Sequence, residues 1–136
     1  MAEIARYSVV DDVGRCINQL IVAGQIQGGV AQGIGNAFYE RLEFDEQGQL
    51  INGTLADYLL PTAVEVPRIE ILHHVTPSPY NELGVKGVGE AGAIPVGALF
   101  AQAIEDALDL KRRGVELLEI PLSPSRLFEL TRNAQR

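Results

Sequence analysis

Cysteine, histidine, basic charge and long apolar runs are all scarce in this chain, and each shortage removes a class of function. Cys16 is the only cysteine among 136 residues. It can form no internal disulfide, and it cannot by itself hold an iron–sulfur cluster, which takes several ligating thiolates. Such a cysteine reads as a small buried hydrophobe. His73 and His74 are the only histidines. As strand neighbours they point to opposite faces and cannot share a metal, and they lack the spacing of a zinc-binding helix motif. Eleven Lys and Arg stand against eighteen Asp and Glu, a formal net charge of −7. Phosphate-backbone binding is the work of Lys and Arg, so nucleic acid is excluded as a partner. The one basic cluster, Lys111-Arg112-Arg113, falls where a helix is expected to end, and contact with terminal carbonyls accounts for it. No apolar run approaches the roughly 18 residues that suggest a membrane span. No basic segment followed by an apolar core opens the chain, so no signal peptide is read and a cytoplasmic location is expected.

What is present is glycine, proline and an ordinary apolar fraction. Hydrophobic residues make up 46%, with 14 glycines and seven prolines. That is the composition of a globular domain, and residues 1–136 read as a single domain or a fragment of one. The expected fold is α+β, with mixed strands and two main helices. Arg6–Val10 reads as a strand ended by Asp11, Asp12 and Gly14, an acidic strand-end turn. Ile26, Val30, Ile34, Phe38 and Leu42 recur every four residues, a helical stripe. The same segment carries Gly28, Gly29, Gly33 and Gly35, each costing about 1 kcal/mol inside a helix relative to alanine. Three accounts are open: close packing by another element, approach of a ligand, or a helix that starts only near Val30. Arg41–Gly53 reads as a hairpin around Gly48, and Arg68–Val75 as a strand. Val96, Leu99, Phe100, Ala103, Ile104, Ala107 and Leu108 form a second helix face, with the stop at Arg113-Gly114. A short helix is expected over Ser125–Leu130.

Chemistry concentrates in the stretch from Gly84 to Gly92, Gly-Val-Lys-Gly-Val-Gly-Glu-Ala-Gly. Such glycine density needs a tight turn, a positive φ or a close backbone approach. It is not a P-loop, because no Ser or Thr follows Lys86 in the required spacing. It spells a dinucleotide fingerprint over Gly87–Gly92, but no βαβ unit surrounds it. Glu90 is the candidate catalytic group, a carboxylate flanked by Val88, Ala91 and Ile94. Poor local solvation would favour its neutral form and make it a usable proton acceptor. A nearby helix N-terminus would act in the opposite sense.

Several separated motifs, in order, resemble the C-terminal part of the molybdenum-containing subunit of the xanthine dehydrogenase and aldehyde oxidase family, which includes the carbon monoxide dehydrogenases. They are Val10–Arg15, Gly24–Gly35, Asp57–Pro61, Pro77–Asn81, Lys86–Gly92 and Ala103–Leu108. The resemblance covers residues 7 to 130. It implies hydroxylation of an aldehyde, an N-heterocycle or a related carbon centre, with water as the oxygen source. It implies that Glu90 is the base, that Gln25 hydrogen-bonds the pterin, and that the backbone of Gly87, Val88 and Gly89 lies beside the molybdenum–pterin cofactor. No side chain here would ligate the metal, which the pterin dithiolene holds. A [2Fe-2S] subunit and a flavin (FAD) subunit are the implied electron-transfer partners. A complete molybdenum subunit is several times longer, so the remainder of that subunit is a further implied partner and the chain is expected to be inactive alone. The competing reading is a non-catalytic assembly subunit or degenerate remnant within a multisubunit complex, for which an intact Glu90 motif has no use.

Overall fold

A computed structural model describes residues 3–133. The chain forms, in order, β1 (Tyr7–Asp11), α1 (Gln19–Phe38), β2 (Ile69–His73), α2 (Val96–Ala107), a 3-10 turn (Lys111–Arg113) and α3 (Pro124–Asn133). The fold is α+β, as expected. The described residues divide into two compact units: residues 3–33 with Thr62–Pro95, and Ile34–Pro61 with residues 96–133.

In the first unit β1 and β2 pair in parallel, with Tyr7 opposite Ile69 and Asp11 opposite His73. The alternation predicted for β2 holds. Ile69, Ile71 and His73 are half-buried, while Glu70 and Leu72 face out. The ladder continues one residue further through the His74 N–H on the Asp11 carbonyl, 2.9 Å. Strand β1 runs one residue past its predicted end. Tyr7 and Val13 are buried here together with Val22, Ile26 and Val30 from the first part of α1.

Helix α1 starts eleven residues before Val30, so the late-start account is overturned. Asn18 is the reason: its Oδ1 accepts the Ile21 N–H at 3.1 Å, a side-chain cap on an otherwise orphan donor. Close packing explains Gly29, where a Cβ would lie 2.9 Å from both the Ala93 nitrogen and the Gly92 Cα. At Gly28 a Cβ would meet nothing within 4 Å.

In the second unit α1 ends at Phe38 and not at Leu42. The Gly35 carbonyl accepts both Tyr39 and Glu40 N–H groups at 2.8 Å, and the Ala37 carbonyl accepts Leu122 N–H at 2.6 Å. The Glu40 and Leu122 N–H groups thus reach terminal carbonyls from outside the i→i−4 ladder. The predicted hairpin reduces to one antiparallel bridge, Phe44 with Leu50, around Gly48 at φ +79°. The core gathers Ala101, Leu110, Leu117 and Leu122, with Phe38, Ile104 and Leu108 packed against it. Phe38 and Phe100 stack at 4.8 Å between centroids. Helix α2 stops at Ala107, short of the predicted Arg113, and Asp109 turns the chain at φ +52°. Gly114 caps the 3-10 turn that follows. The buried Glu105 carboxylate accepts Leu117 N–H at 2.6 Å and ties that return segment to α2. Helix α3 is longer than predicted, adding Pro124 at its start and extending through Asn133.

Candidate cofactor and base site

Three segments of the first unit build the site: the turn after β1, the first part of α1, and the loop after β2. Asp12 joins the first to the third. Its Oδ1 accepts the Gly14 N–H at 2.9 Å and the Thr76 N–H at 3.1 Å. Its Oδ2 takes the Lys86 ammonium at 2.7 Å and the Thr76 hydroxyl. Lys86 Nζ also donates to Thr76 Oγ1 at 2.6 Å. Lys86 foremost, then Thr76 and the backbone donors, hold the Asp12 carboxyl well below the usual carboxylate range.

The backbone reinforces this clamp. Lys86 N–H donates to the Val13 carbonyl at 2.8 Å, and Arg15 N–H to the Gly84 carbonyl at 2.9 Å. Gly14 and Val85 form an antiparallel bridge between these bonds. Gly14 has φ +63°, and a Cβ there would strike the Gly84 carbonyl oxygen. Both left-handed backbone and close approach therefore require glycine. Asn81 grips Val85 from the other side, donating to its carbonyl and accepting its N–H, each at 3.0 Å.

Beyond Lys86 the loop changes character. A Cβ at Gly87 or Gly89 would meet nothing within 4 Å, and neither residue has left-handed φ. Among the described residues nothing requires glycine at these two positions. Val88 between them is half-buried and Glu90 is exposed. The loop is anchored again just past Glu90. Ala93 N–H donates to the Glu90 carbonyl at 2.9 Å and Ile94 N–H at 3.2 Å. Gly92 then lies on α1, where a Cβ would strike the Ile26 carbonyl oxygen.

The structure thus brings the predicted residues into one unit. Gln25 is an exposed residue of α1 immediately before Ile26, the residue on which Gly92 rests. Among the described residues Glu90 is exposed and Ile94 is 75% exposed, so these residues do not form the expected apolar shielding. Cys16 is half-buried and not in the core. With Val13, Arg15, Ile21, Val85 and Lys86 it lines a cavity of about 270 Å³ at the start of α1. Among the described residues no cluster of three or more His, Cys, Asp or Glu could hold a metal ion. No helix among them is long and apolar enough to cross a membrane. The sequence reading took Asp12 as part of an ordinary acidic turn and gave Asn18 no capping role. The available signals were an Asp two residues before a glycine and an Asn directly before an apolar helical pattern.

Comparison with known proteins gives this arrangement a context. Residues 1–67 match the family model of the molybdopterin cofactor-binding domain. The carbon monoxide dehydrogenase large chain of Hydrogenophaga pseudoflava is 42% identical over 130 residues, covering 93% of this chain and 16% of the relative. The nicotine 6-hydroxylase large subunit of Paenarthrobacter nicotinovorans is 42% identical over 123 residues, covering 90% of this chain and 15% of the relative. The reconstituted carbon monoxide dehydrogenase from Oligotropha carboxidovorans superposes with a TM-score of 0.90 at 32% identity, over 99% of this chain and 16% of that chain. The chain therefore spans only about a sixth of the length of these relatives. Within that span, sequence and fold agree: the chain belongs by homology to the molybdenum hydroxylase family, matching part of its molybdenum-binding large subunits.

Proposed function

We propose that this chain is the C-terminal part of the molybdopterin-binding domain of a molybdenum hydroxylase and supplies the catalytic base of a multisubunit oxidoreductase. The observation that carries this reading is the loop from Lys86 to Gly92. It is anchored at both ends, open at Gly87 and Gly89, and carries an exposed carboxylate at Glu90. Open glycines without left-handed φ suit a body from outside the chain lying against their backbone. A molybdenum–pterin cofactor fits that description. The loop offers it backbone N–H groups, and the exposed Gln25 amide offers both a donor and an acceptor to a pterin edge.

The net reaction is R–H + H2O → R–OH + 2 H⁺ + 2 e⁻. When bound, the molybdenum–pterin cofactor would supply the two-electron oxidation, with iron–sulfur and flavin partners as the electron acceptors. Glu90 receives the proton released as the water-derived oxygen bonds to carbon. Gln25 and the backbone of Gly87, Val88 and Gly89 fix the cofactor relative to that carboxylate, so the base needs no reorganisation at the moment of reaction. The substrate is a small molecule with an oxidisable carbon, an aldehyde, an N-heterocycle or a related centre. The remainder of the molybdenum subunit completes the pocket and desolvates Glu90, which this chain leaves exposed. The chain alone is inactive, and the assembly is cytoplasmic.

The test is Glu90→Gln in the assembled enzyme. Turnover should fall by about 10²-fold or more, the scale of a lost general base, while molybdenum content stays at the wild-type level. Unchanged turnover with cofactor retained rejects Glu90 as the base.

A further inference from the structure

We infer that Lys86 and Asp12 form a positioning clamp for Glu90, so that catalysis by the glutamate depends on an ion pair four residues upstream of it. The inference rests on the reading of Glu90 as the base. Its support is geometric. Residues 84–86 are held by the Gly84–Arg15 and Val13–Lys86 backbone bonds, by both arms of Asn81, and by Lys86 Nζ on Asp12 and Thr76. Residues 87–89 offer far less. Among the described residues, Gly87 and Gly89 have nothing near the place a Cβ would occupy, and the one backbone bond there is Ala91 N–H to the Val88 carbonyl at 3.3 Å. The carboxylate is therefore aimed from two fixed points, Lys86 before it and Gly92 on α1 behind it. Gly92 is held by backbone packing against Ile26, which needs no side chain. Lys86 is held in part by its side chain, which makes this end adjustable by substitution. Asp12 gathers Gly14, Thr76 and Lys86 on one carboxylate, which fixes where the loop starts. It reaches across 64 residues to Thr76 and 74 to Lys86.

Effective positioning of a base matters steeply, since a displacement of about 1 Å can cost on the order of 10²-fold in rate. The experiment compares Lys86→Met, which keeps the apolar stem and removes the charge, with Lys86→Arg, which keeps a cation. Both are made in the assembled enzyme, alongside Glu90→Gln. Lys86→Met should lower kcat by about tenfold or more with KM within about twofold and molybdenum content unchanged, because positioning acts on the transition state and not on ground-state binding. Lys86→Arg should recover most of that loss. Independently of activity, amide hydrogen exchange in this chain should be faster at Ala93 and Ile94 in Lys86→Met, by more than the accompanying shift in the urea midpoint accounts for. These two N–H groups close the Glu90 turn. Asp12→Asn, which keeps the shape of the acceptor, should reproduce both effects if Lys86→Met fails to assemble. Loss of activity in Glu90→Gln together with wild-type kcat and wild-type exchange in Lys86→Met and Asp12→Asn overturns the clamp while leaving the base intact. Wild-type activity in Glu90→Gln overturns the base itself. An equal loss in the Met and Arg variants also overturns the clamp, since a cation at this position then restores nothing.

Discussion

Asp12 carries more interactions than its place in the sequence suggests, and its chemistry predicts an acid limit. Lys86, the Thr76 hydroxyl and two backbone N–H groups all favour its ionised form. Its folded-state pKa is therefore lower than its unfolded value near 4. A depressed carboxylate contributes stability above the unfolded pKa, and that contribution is lost as pH falls toward the folded one. Glu65, held low by the Thr62 hydroxyl and N–H, acts with the same sign. The urea midpoint should therefore drop as pH is lowered from about 5 toward 2, and Asp12→Asn should flatten part of that slope. High salt should weaken the effect of the Lys86 pair, because Lys86 and Asp12 are both partly solvent-exposed. A slope identical in Asp12→Asn and wild type would show that the clamp does not form in solution.

At the scale of elements, α1 shows what sequence patterning can and cannot reveal. Ile26, Val30 and Ile34 are buried at the predicted four-residue spacing, because a helix presents that spacing to one side whatever its surroundings. The helix start was hidden because Asn18, Gly24, Gly28 and Gly29 all favour turns locally, and tertiary packing overrode that preference. The end was hidden because the Ala37 carbonyl is claimed by Leu122, far away in the chain. The site divides in the same way. Glu90 was legible from a contiguous motif, while the Asp12–Thr76–Lys86 clamp was not, since pairings 64 and 74 residues apart leave no period to read. Neighbouring glycines in α1 give a sharp test of these packing arguments. Gly29→Ala puts a methyl 2.9 Å from the Gly92–Ala93 backbone and should destabilise the chain by about 1–3 kcal/mol, the usual range for overpacking. Gly28→Ala meets nothing and should stabilise the same chain by about 1 kcal/mol through helix propensity alone. Urea unfolding of the two variants measures both signs. If Gly28 faces the cofactor or the rest of the subunit, Gly28→Ala should also lower molybdenum retention in the assembled enzyme while raising the stability of the chain.

The whole molecule carries more apolar surface than a self-sufficient domain of its size has use for. Leu20 is 83% exposed, Val64 89% and Leu118 84%, and Val10 and Leu72 sit side by side on the outer face of β1 and β2. Parallel strands are normally covered on both faces by other elements, and two strands alone bury little. Exposed apolar surface on this scale marks a place where another polypeptide packs. The relatives supply a candidate source, because this chain corresponds to about a sixth of their length. The chain by itself should therefore bind an apolar dye and show concentration-dependent association in sedimentation. Side-chain footprinting with a photoreactive carbene then separates the interface from ordinary exposed residues. Labelling of Leu20, Val10 and Leu72 should fall several-fold when the chain is assembled with the remainder of a molybdenum subunit. Labelling at the hairpin tip beside Gly48, where charged and polar residues surround the turn, should not change. If all of these positions label equally before and after assembly, the sheet face and the start of α1 are solvent surfaces, and the contact with the rest of the subunit must be sought elsewhere on the chain.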